Sequence, residues 1–123
     1  MARILIAEDD DAIRNLVVRA LSDDGHNLTA TADGAAALDV LDRHNGDFDL
    51  LLTDVKMPTM DGIALALAAG RGHPQVTIML MTGYADQRER THGLDALVHD
   101  VIAKPFSVEQ IKGSVREALV DRH

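Results

Sequence analysis

Five short runs of apolar and β-branched residues alternate with stretches whose apolar residues recur at helical spacing. That alternation constrains the fold more than any other feature of the chain. The runs are Arg3–Ala7, Asn27–Thr31, Asp49–Thr53, Val76–Met81 and Leu97–Ala103. Between the first two, Ile13, Leu16, Val17, Ala20 and Leu21 share one helical face, with Asp11 as an N-cap and Gly25 as a stop. Asp33-Gly34 opens an alanine-rich helix through Leu38 and Leu41 that ends near Asn45-Gly46. Asp61 caps a helix from Ile63 to Ala69, closed by Gly70 and Gly72. Ser107 and Gln110 form a capping box ahead of the last stripe, Val108, Ile111, Val115, Ala118 and Leu119. Strands that alternate with helices predict an α/β fold, a parallel sheet covered on both faces. One stretch breaks the pattern. From Asp86 to Gly93, DQRERTHG holds no apolar residue, so a helix there would gain little from packing. It reads as a solvated surface helix, or as an element held loosely enough for a ligand or modification to shift it.

The 123 residues suffice for one domain with its own core. No linker, repeat or low-complexity tract divides them, so a single domain over 1–123 without an output domain is expected. The absence of cysteine removes disulfide and thiolate chemistry and fits a reducing, cytoplasmic setting. The opening MARILIAED has no basic n-region before a long apolar core, and no apolar run approaches the roughly 18 residues of a membrane span. A net charge of −8 argues against nucleic acid or an anionic membrane as partner, and 2% aromatics leave little for base stacking. The charge suits a partner with a basic face, or a site that concentrates metal cations.

The acids are placed with a pattern. LLLTDVKMP, residues Leu50 to Pro58, runs a buried-looking strand straight into Asp54. Open α/β sheets bind ligands outside the carboxyl ends of their strands, where strand order reverses. Glu8, Asp9 and Asp10 follow the first strand, Asp54 ends the third, Thr82 the fourth and Lys104 the fifth. With strand order 2-1-3-4-5, the first and third strands are neighbours and their carboxylates converge. Clustered carboxylates repel unless a cation joins them, and oxygen ligands with room for water suit Mg²⁺. A carboxylate, a divalent ion, a hydroxyl and a lysine make a phosphoryl-transfer site with Asp54 as nucleophile. Taken singly, each residue has a plainer explanation: a cap, a turn before Gly83, a strand exit at Pro105. Together they occupy the strand ends in the order the chemistry needs.

The motifs ILIAEDD, LLTDVKMPTMDG, MTG and AKPF, in that order, resemble the receiver domain of two-component response regulators over essentially the whole chain. The resemblance implies a flavodoxin-like (βα)₅ fold with a five-stranded parallel sheet. It implies that the chain accepts a phosphoryl group from a sensor histidine kinase or histidine phosphotransfer protein and changes its binding to a downstream target protein. Matched by motif, Glu8 and Asp9 are the acidic pair, Asp54 the phosphoacceptor, Lys104 the phosphate-binding lysine and Thr82 the switch hydroxyl. Mg²⁺ would be held by Glu8, Asp9, Asp54 and the backbone carbonyl of Lys56, and Lys104-Pro105 is expected to be cis. The Lys56 side chain could add a charge near the phosphoryl group or be an ordinary exposed loop lysine. Receivers often carry an aromatic three residues before the lysine; Val101 stands there instead, so a shift of the polar segment is the expected substitute. Tyr84 lies beside the expected site, either tuning acyl-phosphate lifetime or packing. Among stand-alone receivers, MARILIAEDDD and LLLTDVKMPTMDG are most similar to the CpdR type, which implies an adaptor controlling substrate delivery to a AAA+ protease. Monomer or weak dimer is expected.

Other classes fit less well. Aspartyl-phosphate hydrolases of the haloacid dehalogenase kind use Asp-x-Asp, whereas Asp54-Val55-Lys56 lacks the second acid. A flavin or nucleotide carrier would need stacking aromatics and a phosphate loop, and Gly70-Arg71-Gly72 is neither. The six histidines are scattered without ligand spacing. The sequence therefore predicts a regulatory binding module rather than an enzyme.

Overall fold

The computed structural model describes residues 2–83, 93–94 and 96–121. Its strands are β1 (Arg3–Ala7), β2 (Asn27–Thr31), β3 (Leu50–Asp54), β4 (Thr77–Thr82) and β5 (Asp100–Ala103). They form one parallel sheet in the order β2-β1-β3-β4-β5. Among the described residues the helices are α1 (Asp11–Asp23), α2 (Gly34–Arg43), α3 (Gly62–Gly72) and α4 (Val108–Asp121). The expected α/β architecture and strand order are both present.

Side chains alternate across the sheet, and both faces are covered, which is why the central strands read as unbroken apolar runs. Leu5, Leu51, Ile78 and Leu80 pack with α2 and α3 on one face. Ile4, Ile6, Leu50, Leu52, Met79 and Met81 pack with α1 and α4 on the other. The centre is dry: all five residues of β3 are buried, whereas the edge strands β2 and β5 are partly exposed.

Three local expectations need correction. Asp10, not Asp11, caps α1: its backbone is extended, and its Oδ1 accepts from the amides of Ala12 and Ile13 at 2.9 and 3.1 Å. Asp11 is instead the first helical residue, where an acid suits the positive end of the dipole. Next, α3 does not stop at Ala69 but runs through Gly70 to Gly72. Gly70 is a packing notch: a Cβ there would overlap the Leu97 side chain. Leu97 and Val98 are accordingly apolar because they pack against the α2–α3 side of the core, and β5 begins only at Asp100. The capping box is as expected, with Ser107 N donating to Gln110 Oε1 at 2.7 Å and Gln110 N to Ser107 Oγ at 3.0 Å. Tyr84 and the polar segment, apart from Gly93, lie outside the described residues.

Candidate functional site

Strand register brings the predicted residues together. Ala7 pairs with Thr53, so the next residues along, Glu8 and Asp54, leave the sheet side by side. Thr82 pairs with Ala103, and the amide of Lys104 continues the ladder to the Thr82 carbonyl at 2.7 Å. From there the Lys104 side chain reaches back: its Nζ lies 2.7 Å from Glu8 Oε1 and 3.0 Å from Asp54 Oδ2. The Lys104-Pro105 bond is cis.

Each carboxylate is held differently. Glu8 is fully buried, with one oxygen on Lys104 and the other accepting from the Asp10 amide at 3.1 Å. Its carboxyl is pushed up to about 7, chiefly by burial and further by the Asp54 charge, against the downward pull of the hydrogen bonds from Lys104 and Asp10. Burial lowers the Lys104 ammonium, but the hydrogen bonds it donates to Glu8 and Asp54, and their charges, outweigh it and leave the pKa above the ordinary lysine value. Asp54 keeps Oδ2 on the lysine, while Oδ1 accepts from the Val55 amide at 2.9 Å. Asp9 is exposed, and its carboxylate has no hydrogen-bond or ion-pair partner among the described residues. Thr82 is 1% exposed, yet its hydroxyl finds no partner among the described residues. A buried hydroxyl left unpaired costs about 1–3 kcal/mol, a reason for it to take a new acceptor when one arrives.

One ligand oxygen from each of Glu8, Asp9 and Asp54 lies within 4.8 Å of the others. With Lys104 counted, the ionised cluster carries two uncompensated negative charges, which one divalent ion cancels. All-oxygen donors and an open side suit Mg²⁺ rather than a soft metal. The residues present therefore fit the ion the sequence implies. The site opens into a cavity of about 510 Å³ whose walls include Lys56, Gly83, Ile13, Leu16 and Phe106. Lys56 is exposed on that wall, in the loop directly after Asp54.

Three features were not legible beforehand. Gly62, the first residue of α3, sits against the Asp54 backbone: a Cβ would overlap the Asp54 carbonyl oxygen, and the Gly62 amide donates to Val55 O at 2.7 Å. Gly34 does the same at the start of α2, against the carbonyl of Met60. Between them Thr59 has φ +70°, a left-handed conformation that is strained for a β-branched residue. The DG of MPTMDG and Asp33-Gly34 read as helix starts, and sequence alone did not say that both glycines are there for a backbone contact.

A model described as the response regulator receiver domain matches residues 4–116. The chain is 37% identical to the response regulator receiver protein CpdR of Brucella abortus, covering 98% of each. It is 36% identical over 119 residues to the sensor kinase CckA of the same organism, but spans only 12% of that protein's length. Among solved structures, the chemotaxis response regulator CheY4 of Vibrio cholerae superposes with a TM-score of 0.86 at 26% identity, covering 97% of this chain and 99% of that one. With this match over nearly its whole length, the chain belongs to the family of response regulator receiver domains.

Proposed function

We propose that this chain is a phosphorylation-dependent switch whose phosphoacceptor is Asp54. The observation that carries the proposal is the Lys104 ammonium bridging Glu8 and Asp54 inside a cluster of three carboxylates. An Asp54 oxygen attacks phosphorus of a phosphohistidine on a sensor kinase or phosphotransfer protein. The P–N bond breaks, the acyl P–O bond forms, and the departing imidazole keeps a proton. Lys104 moves from the bare carboxylate to a phosphoryl oxygen, which spreads the negative charge that develops there. Mg²⁺, held by Asp9, Asp54, the Lys56 carbonyl and the Glu8 side, would supply charge neutralisation for the same oxygens. Thr82 then gives its unpaired hydroxyl to the phosphoryl group.

The readout is changed affinity for a downstream protein. The similarity to CpdR, which covers 98% of each chain, supports a receiver acting by itself; a cytoplasmic monomer or weak dimer is part of the same proposal. It also supports the narrower proposal of an adaptor in substrate delivery to a AAA+ protease. No helix among the described residues is long and apolar enough to cross a membrane.

Intact-mass measurement after incubation with acetyl phosphate and Mg²⁺ tests the chemistry. One phosphoryl increment is expected, absent in Asp54→Asn and absent without Mg²⁺. No increment from acetyl phosphate or from a phosphorylated kinase would overturn the proposal. Continuous release of inorganic phosphate from small esters would point to a hydrolase instead.

A further inference from the structure

Arg14 stands where a helix does not want it. It lies in the first turn of α1, near the positive end of the helix dipole, so its charge does nothing favourable for that terminus. Its ion pair with Asp11 is a poor reason for the placement, since the Asp11 side chain is 82% exposed and such pairs contribute little. The Arg14 side chain as a whole is only 21% exposed. It folds back over the cap, and one nitrogen donates to the backbone carbonyl of Glu8 at 2.9 Å.

That carbonyl belongs to the peptide joining Glu8 to Asp9. Upstream, the Glu8 amide donates to Thr31 O at 3.1 Å, and the Thr31 hydroxyl donates back to Ile6 O at 2.8 Å. Downstream, Asp10 is locked by its cap and by the Glu8 carboxylate. Arg14 fixes the plane between them, from which the Asp9 side chain departs. Of the three carboxylates, Asp9 alone has no partner of its own among the described residues, so its direction depends on its backbone.

We propose that Arg14 is a positioning residue for the metal site, aiming Asp9 at the ion through the Glu8 carbonyl. The inference rests on the proposed Mg²⁺-dependent reading of this cluster. Its electrostatic alternative has the opposite sign. If Arg14 acted only as a nearby cation, removing it would make the pocket more negative and bind Mg²⁺ more tightly. If it aims a ligand, removing it weakens Mg²⁺, by about tenfold for an outer-shell partner of this kind.

The test is Mg²⁺ titration by calorimetry of the parent chain, Arg14→Met and Arg14→Lys, with melting temperatures alongside. Arg43→Met, which removes an exposed arginine paired with Asp39 on α2, serves as a charge control. Expected are an approximately tenfold weaker constant for Arg14→Met, an intermediate one for Arg14→Lys, which keeps a single donor, and the parent value for Arg43→Met. The Mg²⁺ concentration for half-maximal phosphorylation should rise in step. Unchanged or tighter binding in both Arg14 variants would overturn the inference while leaving the site intact. A lower melting temperature with parental affinity would reduce Arg14 to a structural tie. Should Arg14→Met fail to fold, Arg14→Lys alone decides. A parent that binds no Mg²⁺ would overturn the site proposal and this inference with it.

Discussion

β3 and β5 both deliver a charged residue to the same site, and they do it under opposite conditions. β3 lies between β1 and β4 with every residue buried, and Asp54 ends it. β5 is an edge strand of four partly exposed residues, paired on one side only, and Lys104 follows it. Asp54 is placed by packing on all sides, whereas the lysine is placed at its tip by the carboxylates it bridges. The difference teaches that backbone precision is concentrated at Asp54. Under the proposed switch, the lysine that would change partner follows a strand paired on one side only.

The largest effect that would break this comparison is in the strands themselves. Leu52→Ala, at a site with no exposure, should cost about 2–5 kcal/mol in urea denaturation. Val101→Ala on half-buried β5 should cost about 1 kcal/mol. Equal losses would mean that β5 is as firmly built as β3. A smaller contrast lies in two glycines. Gly62→Ala pushes a methyl into the Asp54 carbonyl and should cost about 1–3 kcal/mol. If Asp54 is the phosphoacceptor proposed above, it should also slow phosphoryl incorporation, since the Asp54 backbone must shift. Gly113 in α4 has no atom within 4 Å of where a Cβ would lie, and Gly113→Ala should gain about 0.4–1 kcal/mol.

Much of this was legible in the chain because strand ends are where apolar runs meet charge. The alternation of β and α periods gave the fold class, and Glu8, Asp54, Thr82 and Lys104 fell at strand ends whose register then brought them together. What stayed hidden depends on tertiary contact. Leu97 and Val98 looked like strand because an apolar residue packing against α3 has no separate signature. Gly70 looked like a stop because a packing notch and a helix end are both written as glycine. Arg14 carried one faint signal, a cation at the wrong end of a helix, that only the 2.9 Å bond to Glu8 O makes intelligible.

The smallest effect sits at the margin. Arg116 grips Asp24 with two nitrogens at 2.5 and 2.7 Å, tying α4 to the end of α1. Those hydrogen bonds hold the Asp24 carboxyl below its ordinary value of 3.8. A carboxyl depressed in the folded state contributes stability that is present in full above its unfolded pKa and is lost as pH falls through the folded one. The stability gap between the parent and Arg116→Met, measured in urea, should therefore be small at neutral pH and close well below pH 3.8. A gap that persists there would mean that the arginine stem packs rather than pairs.

The two glycines that open α2 and α3 bear on how this domain can be recombined with its relatives. Gly34 rests on the Met60 carbonyl and Gly62 on that of Asp54, so neither helix is an interchangeable part. A chimaera that imports a helix beginning with any side chain at either position would wedge the segment from Asp54 to Met60. Specificity grafts between receivers should carry these first helical residues over unchanged and place their crossovers downstream of them.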